Sequence, residues 1–354
     1  MINSSGVGTY LKNLLPLIIG NSSNIKFLLI GNETELSDTK LFNFTNVDIL
    51  PIDISIYSIK EQIILPFMIP KKTDLYWSPH YNIPILFKGK LLVTIHDLYY
   101  LSILQSGFNW IKSRYARYFL NLILKRANKI ISVSKFTKNE YIKYFGHENN
   151  YKKIIPIHNG IEKKNILNDN NPLNKPYLLT VGNVKPNKNL SRLVDAFNKI
   201  MDKIPNELVL VGKKSGFISG DEEVIKKVNS FGQRIRMTGF VDDNELQNYY
   251  QHAEAFTFPS IYEGFGFPPL EAMATGTPVI ASNAASIPEV CGDAALYFNP
   301  YDINDMANKI FQMVKNNDMK KEYINKGINQ VKKYSWEKTA KKTCDVIMEI
   351  LKDN

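Results

Sequence analysis

The sequence predicts an α/β fold of two parallel-sheet domains, and three observations carry that expectation. The chain has 354 residues, too many for one ordinary hydrophobic core, so two domains are the natural division. In the second half, short apolar runs alternate regularly with helix-period stretches, as βαβ units around a parallel sheet require. The first half repeats that alternation less regularly, so two Rossmann-like halves stand in tandem.

Taken in order, "MINSSGVGTYLKNLL" opens on a glycine turn that feeds a helix over 7–19, with only Met1 to Ser5 ahead of it. A doubly wound domain places a strand before such a turn, so the native start is expected upstream of this sequence. Strands are expected at 25–31, 74–78, 90–97 and 129–134, and helices near 58–68, 108–127 and 135–145. An Asn-Gly turn lies in "IHNGIE" (157–162), and the polar, proline-containing "NILNDNNPLNKP" (165–176) reads as a linker. Beyond it, strands are expected at 177–182, 207–212, 235–240, 255–259, 278–282 and 294–298, with helices between them. The amphipathic closing segment 335–352 is long enough to return to the first domain. The domains are therefore 1–165 with 335–354, and 166–334.

Hydrophobic residues make up 44% and charged residues 22% of the chain, as in soluble globular proteins. No apolar run reaches the roughly 18–20 residues of a membrane span, and no signal pattern opens the chain. Cys291 and Cys344 form no CxxC; this argues against a disulfide framework or a zinc site and favours a cytoplasmic setting. The net charge of +10 is unevenly placed, with 21 Lys/Arg against 11 Asp/Glu in 1–165 and 23 against 23 in 166–354. A negative partner for the first half, or a solvated lysine-rich face, would account for it. The stretch 108–129 mixes Trp110, Tyr115, Tyr118 and Phe119 with Lys112, Arg114, Arg117, Lys125 and Arg126. Such a helix can lie on an anionic membrane surface and hold a lipid-linked acceptor, or serve as a domain helix with a basic face. Nucleic acid is a poor partner, because no recognition module accompanies the charge.

The most informative stretch is "EGFGFPPLEAMATGTPV" (263–279). Pro268 and Pro269 suit a first helical turn, Gly276 can close the helix, and Pro278 follows it. Glu263 then precedes the helix and Glu271 sits in its second turn. Backbone N–H groups at the helix start would make an anion site with an acid on each flank. Lys188 stands just ahead of another helix, with Asn189 as its N-cap. Gly6 and Gly8 form a bare GxG, which alone marks only a turn. His96 ends a strand, where parallel sheets bind ligands, although a packed strand-end histidine is the plain alternative. Five scattered histidines do not make a metal site.

Further motifs are "SSGVGTYLKNLL" (4–15), "VTIHDL" (93–98), "ISVSKFTKNEY" (131–141), "HNGIE" (158–162), "VGNVKPNKNL" (181–190), "GFVDDNEL" (239–246) and "IPEVCGDAALYFNP" (287–300). Together with 258–282, they span nearly the whole chain. In this order the sequence resembles the retaining glycosyltransferases of family 4, with their GT-B fold of two Rossmann-like domains facing across a cleft. Within that family it looks most like the mannosyltransferase-type enzymes of bacterial surface-polysaccharide synthesis.

The resemblance implies a nucleoside diphosphate sugar as donor, GDP- or UDP-linked with a lean to mannose, and a saccharide or lipid-linked acceptor. Glu263 and Glu271 match the family's Glu-x7-Glu motif, implying contacts to donor-sugar and ribose hydroxyls respectively. A carboxylate accepts both hydrogen bonds of a vicinal diol, so the roles are chemically sound. Phe265, Gly266 and Phe267 would offer backbone N–H groups to sugar and phosphate, and Lys188 would bind the diphosphate. Gly6 and Gly8 would face that diphosphate, His96 would touch the sugar near its anomeric carbon, and Val241 would flank the base. Asn183 stands where many relatives have arginine, which leaves a second phosphate cation in doubt. Neither a metal nor another cofactor is implied. The expected location is cytoplasmic or peripheral on the inner membrane face. Rival readings are an inactive nucleotide-sugar-binding subunit, a glycoside hydrolase using Glu263 and Glu271, and a nucleotide-sugar epimerase.

Overall fold

The computed structural model describes residues 6–37, 41, 44–56, 58–102, 110–146, 150–162, 171–212 and 222–353. It divides into two compact units, Met1–Gly160 with Ser335–Asn354, and Ile161–Tyr334. Residues 165–170, the first half of the expected linker, and Met1 to Ser5 ahead of Gly6 lie outside the described residues.

The first unit holds β1 (Phe27–Gly31), β2 (Val47–Pro51), β3 (Leu75–Ser78), β4 (Lys90–Ile95), β5 (Lys129–Ser132) and β6 (Ile154–Pro156). β1 and β2 pair in parallel as one small sheet, and β3-β4-β5-β6 form a second parallel sheet. β4 and β5 are buried almost throughout, which is why "KLLVTI" and "KIIS" read as continuous apolar runs rather than alternating ones. Leu91, Val93 and Ile95 pack with Phe119, Ile123 and Tyr141 in the main core of this unit. The sequence reading missed β2 and β6. "VDILP" carries an acid and ends in proline, and three residues of β6 are too few to set a period.

The helix Val7–Gly20 packs on the closing helix Trp336–Lys352. Ser335 caps the closing helix by accepting from the Lys338 N–H. Gly160 lies so close to its start that a Cβ there would strike the Trp336 backbone.

The second unit holds β7 (Tyr177–Val181), β8 (Glu207–Val211), β9 (Ile235–Gly239), β10 (Ala255–Phe258), β11 (Val279–Ser282) and β12 (Ala295–Phe298). They form one parallel sheet in the order β12-β11-β10-β7-β8-β9. The chain runs outward from β7 through β9, then returns to the far side of β7 to lay down β10, β11 and β12. The order therefore reverses between β7 and β10, and the crevice at the carboxyl ends of those strands is where such sheets bind ligands. Leu193 and Phe197 of the helix Leu190–Asn198 and Ile310 and Met313 of the helix Ile303–Lys315 belong to the same buried core as Leu208 and Phe298.

Candidate functional site

Two loops meet at the reversal point. After β7 the chain passes Gly182 and Asn183 into a short 3-10 turn, Pro186–Lys188. After β10 it runs from Pro259 to Gly266 and enters the helix Phe267–Ala274. Asn187 stitches the two together, donating from its side chain to the Tyr262 carbonyl at 3.0 Å and accepting from the Ile261 N–H at 2.8 Å through its backbone. Lys188 Nζ then lies 2.6 Å from Glu263 Oε1, with side-chain exposures of 17% and 15%. The ammonium also stands 5.3 Å over the centre of the Phe258 ring, a cation–π distance.

Glycine makes this approach possible at two points. A Cβ on Gly182 would crowd the Lys188 side chain, and one on Gly212 would run into the Gly182 carbonyl. Gly212 in turn donates to the Gly239 carbonyl at 2.9 Å, so the ends of β7, β8 and β9 are held together by backbone alone.

Asn189 holds the helix-start position in the left-handed region, with φ of 57°, and its side chain makes no capping bond. The expected N-cap is thus corrected. Its amide instead donates to the buried carbonyls of Pro259 at 3.1 Å and Pro300 at 2.8 Å, which fixes the loop carrying Lys188. Lys188 consequently sits at the positive end of a helix, where a cation is disfavoured. Lysine and helix end concentrate positive potential at one point, with Glu263 as a counter-charge in contact, and an added anion would relieve it.

The loop from Glu263 is fixed from below. Buried Ser286 places its Oγ 2.9 Å from the carbonyls of both Glu263 and Phe265. Phe265 itself is core, its ring edge-on to Phe267 and Tyr334, so only its backbone can serve a ligand. Gly266 takes φ of 98°, a turn that favours glycine, and starts the helix. The expected row of N–H donors is shorter than a helix start suggests. Pro268 and Pro269 carry none, leaving Phe267 and Leu270 in the first four positions.

Glu271 lies in the second helical turn and accepts from the Tyr250 hydroxyl at 2.9 Å. Burial, with the Glu271 charge adding to it, pushes the Tyr250 phenol far above its ordinary range, so it stays a donor. The two glutamates thus have different partners, an ammonium for one and a phenol for the other. Asn183 is half-buried beside Gly182, and Val241 is half-buried in the turn after β9. Asp242 caps the next helix by accepting from the Asn244 and Glu245 N–H groups. Nothing in spacing or composition pointed to Asn187, Ser286 or Tyr250, because each acts through contacts 21 to 75 positions away along the chain.

In the first unit His96 follows β4. Its Nε2 is 3.0 Å from the Pro79 carbonyl, and since a carbonyl only accepts, Nε2 carries the hydrogen and Nδ1 is left as an acceptor. Burial lowers its pKa to about 4, so the ring is neutral near pH 7. Tyr10 meets it edge-on at 5.0 Å. Gly6 takes φ of 74° at the helix start, and Gly8 lies buried in the first turn, two residues before Tyr10. The helix that starts after Gly6 and carries Gly8 is therefore packed against His96 through Tyr10. Burial and the neighbouring His96 also lower His80, to about 3. In the helix Trp110–Arg126, Phe119 is core while Trp110 and Tyr118 are exposed.

Two family models match this chain. Residues 162–330 fit "Glycosyl transferases group 1" and residues 74–164 fit "Glycosyltransferase Family 4". The O-antigen chain mannosyltransferase B of Escherichia coli is 29% identical over 289 residues, covering 77% of this chain and 73% of that protein. Among solved structures, a sucrose-phosphate synthase from Thermosynechococcus elongatus superposes with a TM-score of 0.80 at 21% identity, covering 99% of this chain and 95% of its own. Anabaena Alr3699/HepE, solved in complex with UDP-glucose, gives 0.74 at 17% identity, covering 99% and 97%. At these identities the two structures share the fold with this chain, two Rossmann-like domains of the GT-B type.

Proposed function

The chain belongs to the glycosyltransferases of group 1 and family 4, and we propose that its donor is a nucleoside diphosphate sugar. The sugar moved is a hexose, with mannose first, and the acceptor is a hydroxyl of a saccharide or lipid-linked saccharide of a surface polysaccharide. The observation that carries this reading is the Lys188–Glu263 pair of 2.6 Å at the reversal point of the second sheet. The mannosyltransferase name of the Escherichia coli relative supports the choice of sugar, and the UDP-glucose in HepE supports a nucleotide-linked donor.

In this reading the bond from anomeric carbon to diphosphate oxygen breaks, and the acceptor hydroxyl oxygen takes its place with the configuration retained. The acceptor proton passes to the departing phosphate. Charge developing on that phosphate is met by Lys188 and the helix end behind it, preorganised and partly shielded from water, without a divalent ion. Glu263 accepts from hydroxyls of the sugar, and Glu271 from those of the ribose.

Lys188→Ala is expected to lower kcat by about 10²–10³, the usual effect of removing one transition-state charge stabiliser. Steady-state transfer from GDP-mannose to a mannose-terminated acceptor measures it. Unchanged turnover in that variant removes Lys188 from the reaction.

A further inference from the structure

The helix Ile59–Met68 is built the wrong way round for a surface helix. Two of its polar groups face the protein: Glu61 accepts from the Asn82 amide at 2.5 Å, and Gln62 accepts from the Ile85 N–H at 3.1 Å. Its large apolar residues face out. Ile59 is 79% exposed, Ile63 56% and Phe67 78%, and their four-residue spacing makes one continuous stripe. Only Leu65 of this helix is buried. An ordinary surface helix shows the opposite arrangement.

The stripe has neighbours. Asn82 also accepts from the Tyr115 hydroxyl at 2.5 Å, and Arg126 donates to the carbonyls of Ile85 and Phe87. The loop 82–87 therefore ties this helix to Trp110–Arg126, where Trp110, Ile111 and Tyr118 are exposed. Lys60 on this helix, Lys71 and Lys72 just past its end, and Lys88 next to Phe87, which packs with Leu65 and Ile69, are all exposed. The unit that bears it has 23 Lys/Arg against 14 Asp/Glu, whereas the second unit has 21 against 20.

We propose that this face is a membrane-docking surface, with Ile59, Ile63 and Phe67 entering the headgroup boundary of an anionic bilayer and the lysines pairing with lipid phosphates. Apolar residues on one helix face, exposed lysines on the same helix and just beyond it, and exposed tryptophan and tyrosine on the helix tied to it are what an interfacial site needs. A second copy of the chain fits worse. A two-fold pair through this face would set these lysines against their own copies. Among the described residues no helix is long and apolar enough to cross a membrane.

The test is co-sedimentation of the full chain, without donor or acceptor, with vesicles of phosphatidylglycerol and phosphatidylcholine against phosphatidylcholine alone. The wild-type chain is expected to pellet with the former at low salt and far less with the latter. Lys71→Gln with Lys72→Gln should weaken binding about tenfold or more, near the effect of two juxtamembrane lysines. Ile63→Asp with Phe67→Asp should abolish it at an unchanged melting temperature. Should the aspartate pair unfold the chain, the exposed lysine pair alone decides. Equal pelleting of wild type and lysine variant overturns the proposal. So does a dimer in light scattering that Ile63→Asp dissociates while vesicles bind neither form.

Discussion

At the scale of single residues, the neighbouring His96 and His80 make the clearest pH prediction. Both are neutral when folded, with pKa values lowered to about 4 for His96 and about 3 for His80, mainly by burial. In the unfolded chain each titrates near 6.5. Above that pH neither state binds a proton, so the full stability is present. As pH falls below 6.5 the unfolded chain takes up protons that the native chain refuses until about pH 4, and stability falls. Each histidine contributes up to about 1.4 kcal/mol per pH unit in that window. Urea midpoints between pH 6.5 and 5 should therefore slope steeply, and His80→Gln should remove about half of the slope. An unaltered slope would mean that His80 titrates alike in the folded and unfolded chains. The sequence named His96, Lys188 and Glu263 individually. It could not name the pairing of Lys188 with Glu263 across 75 positions, because a hydrogen-bond partner that distant leaves no local pattern.

At the scale of elements, the strands that read most clearly were β4, β5, β7, β8, β10 and β11, because parallel strands covered on both faces are nearly pure apolar runs. The elements that resisted were the short or partly polar ones, β2 and β6. Loop chemistry was harder still. Asn189 looked like an N-cap by residue type and position, yet its left-handed backbone turns its amide toward the Pro259 and Pro300 carbonyls. Asn189→Ala should cost about 2–4 kcal/mol, from lost bonds to buried carbonyls together with strain at a positive φ. Asn189→Gly loses the same bonds but tolerates the angle, and should be less damaging by about 1 kcal/mol. Urea unfolding of the two variants measures the difference, and equal losses would mean that the backbone angle carries no strain.

At the scale of the whole molecule, two parallel-sheet units were legible from the alternation of apolar runs and from the turn and linker residues between them. The local geometry of the candidate site was legible only in part. Pro268, Pro269 and Gly276 announced the helix that follows Glu263. The buried fasteners Asn187, Ser286 and Tyr250 were invisible, being ordinary polar residues until the fold assigns their partners. The central claim is that the Lys188–Glu263 pair at the reversal point of the second sheet holds a nucleoside diphosphate. Binding to the native state alone must raise stability, by about 2.7 kcal/mol at a ligand concentration of 100 Kd. The most direct measurement is the melting temperature with and without saturating GDP or UDP, for the wild-type chain and Lys188→Ala in parallel. A rise in the wild type that is largely lost in the variant is the predicted result. An equal rise in both would place the diphosphate away from Lys188 and contradict the account.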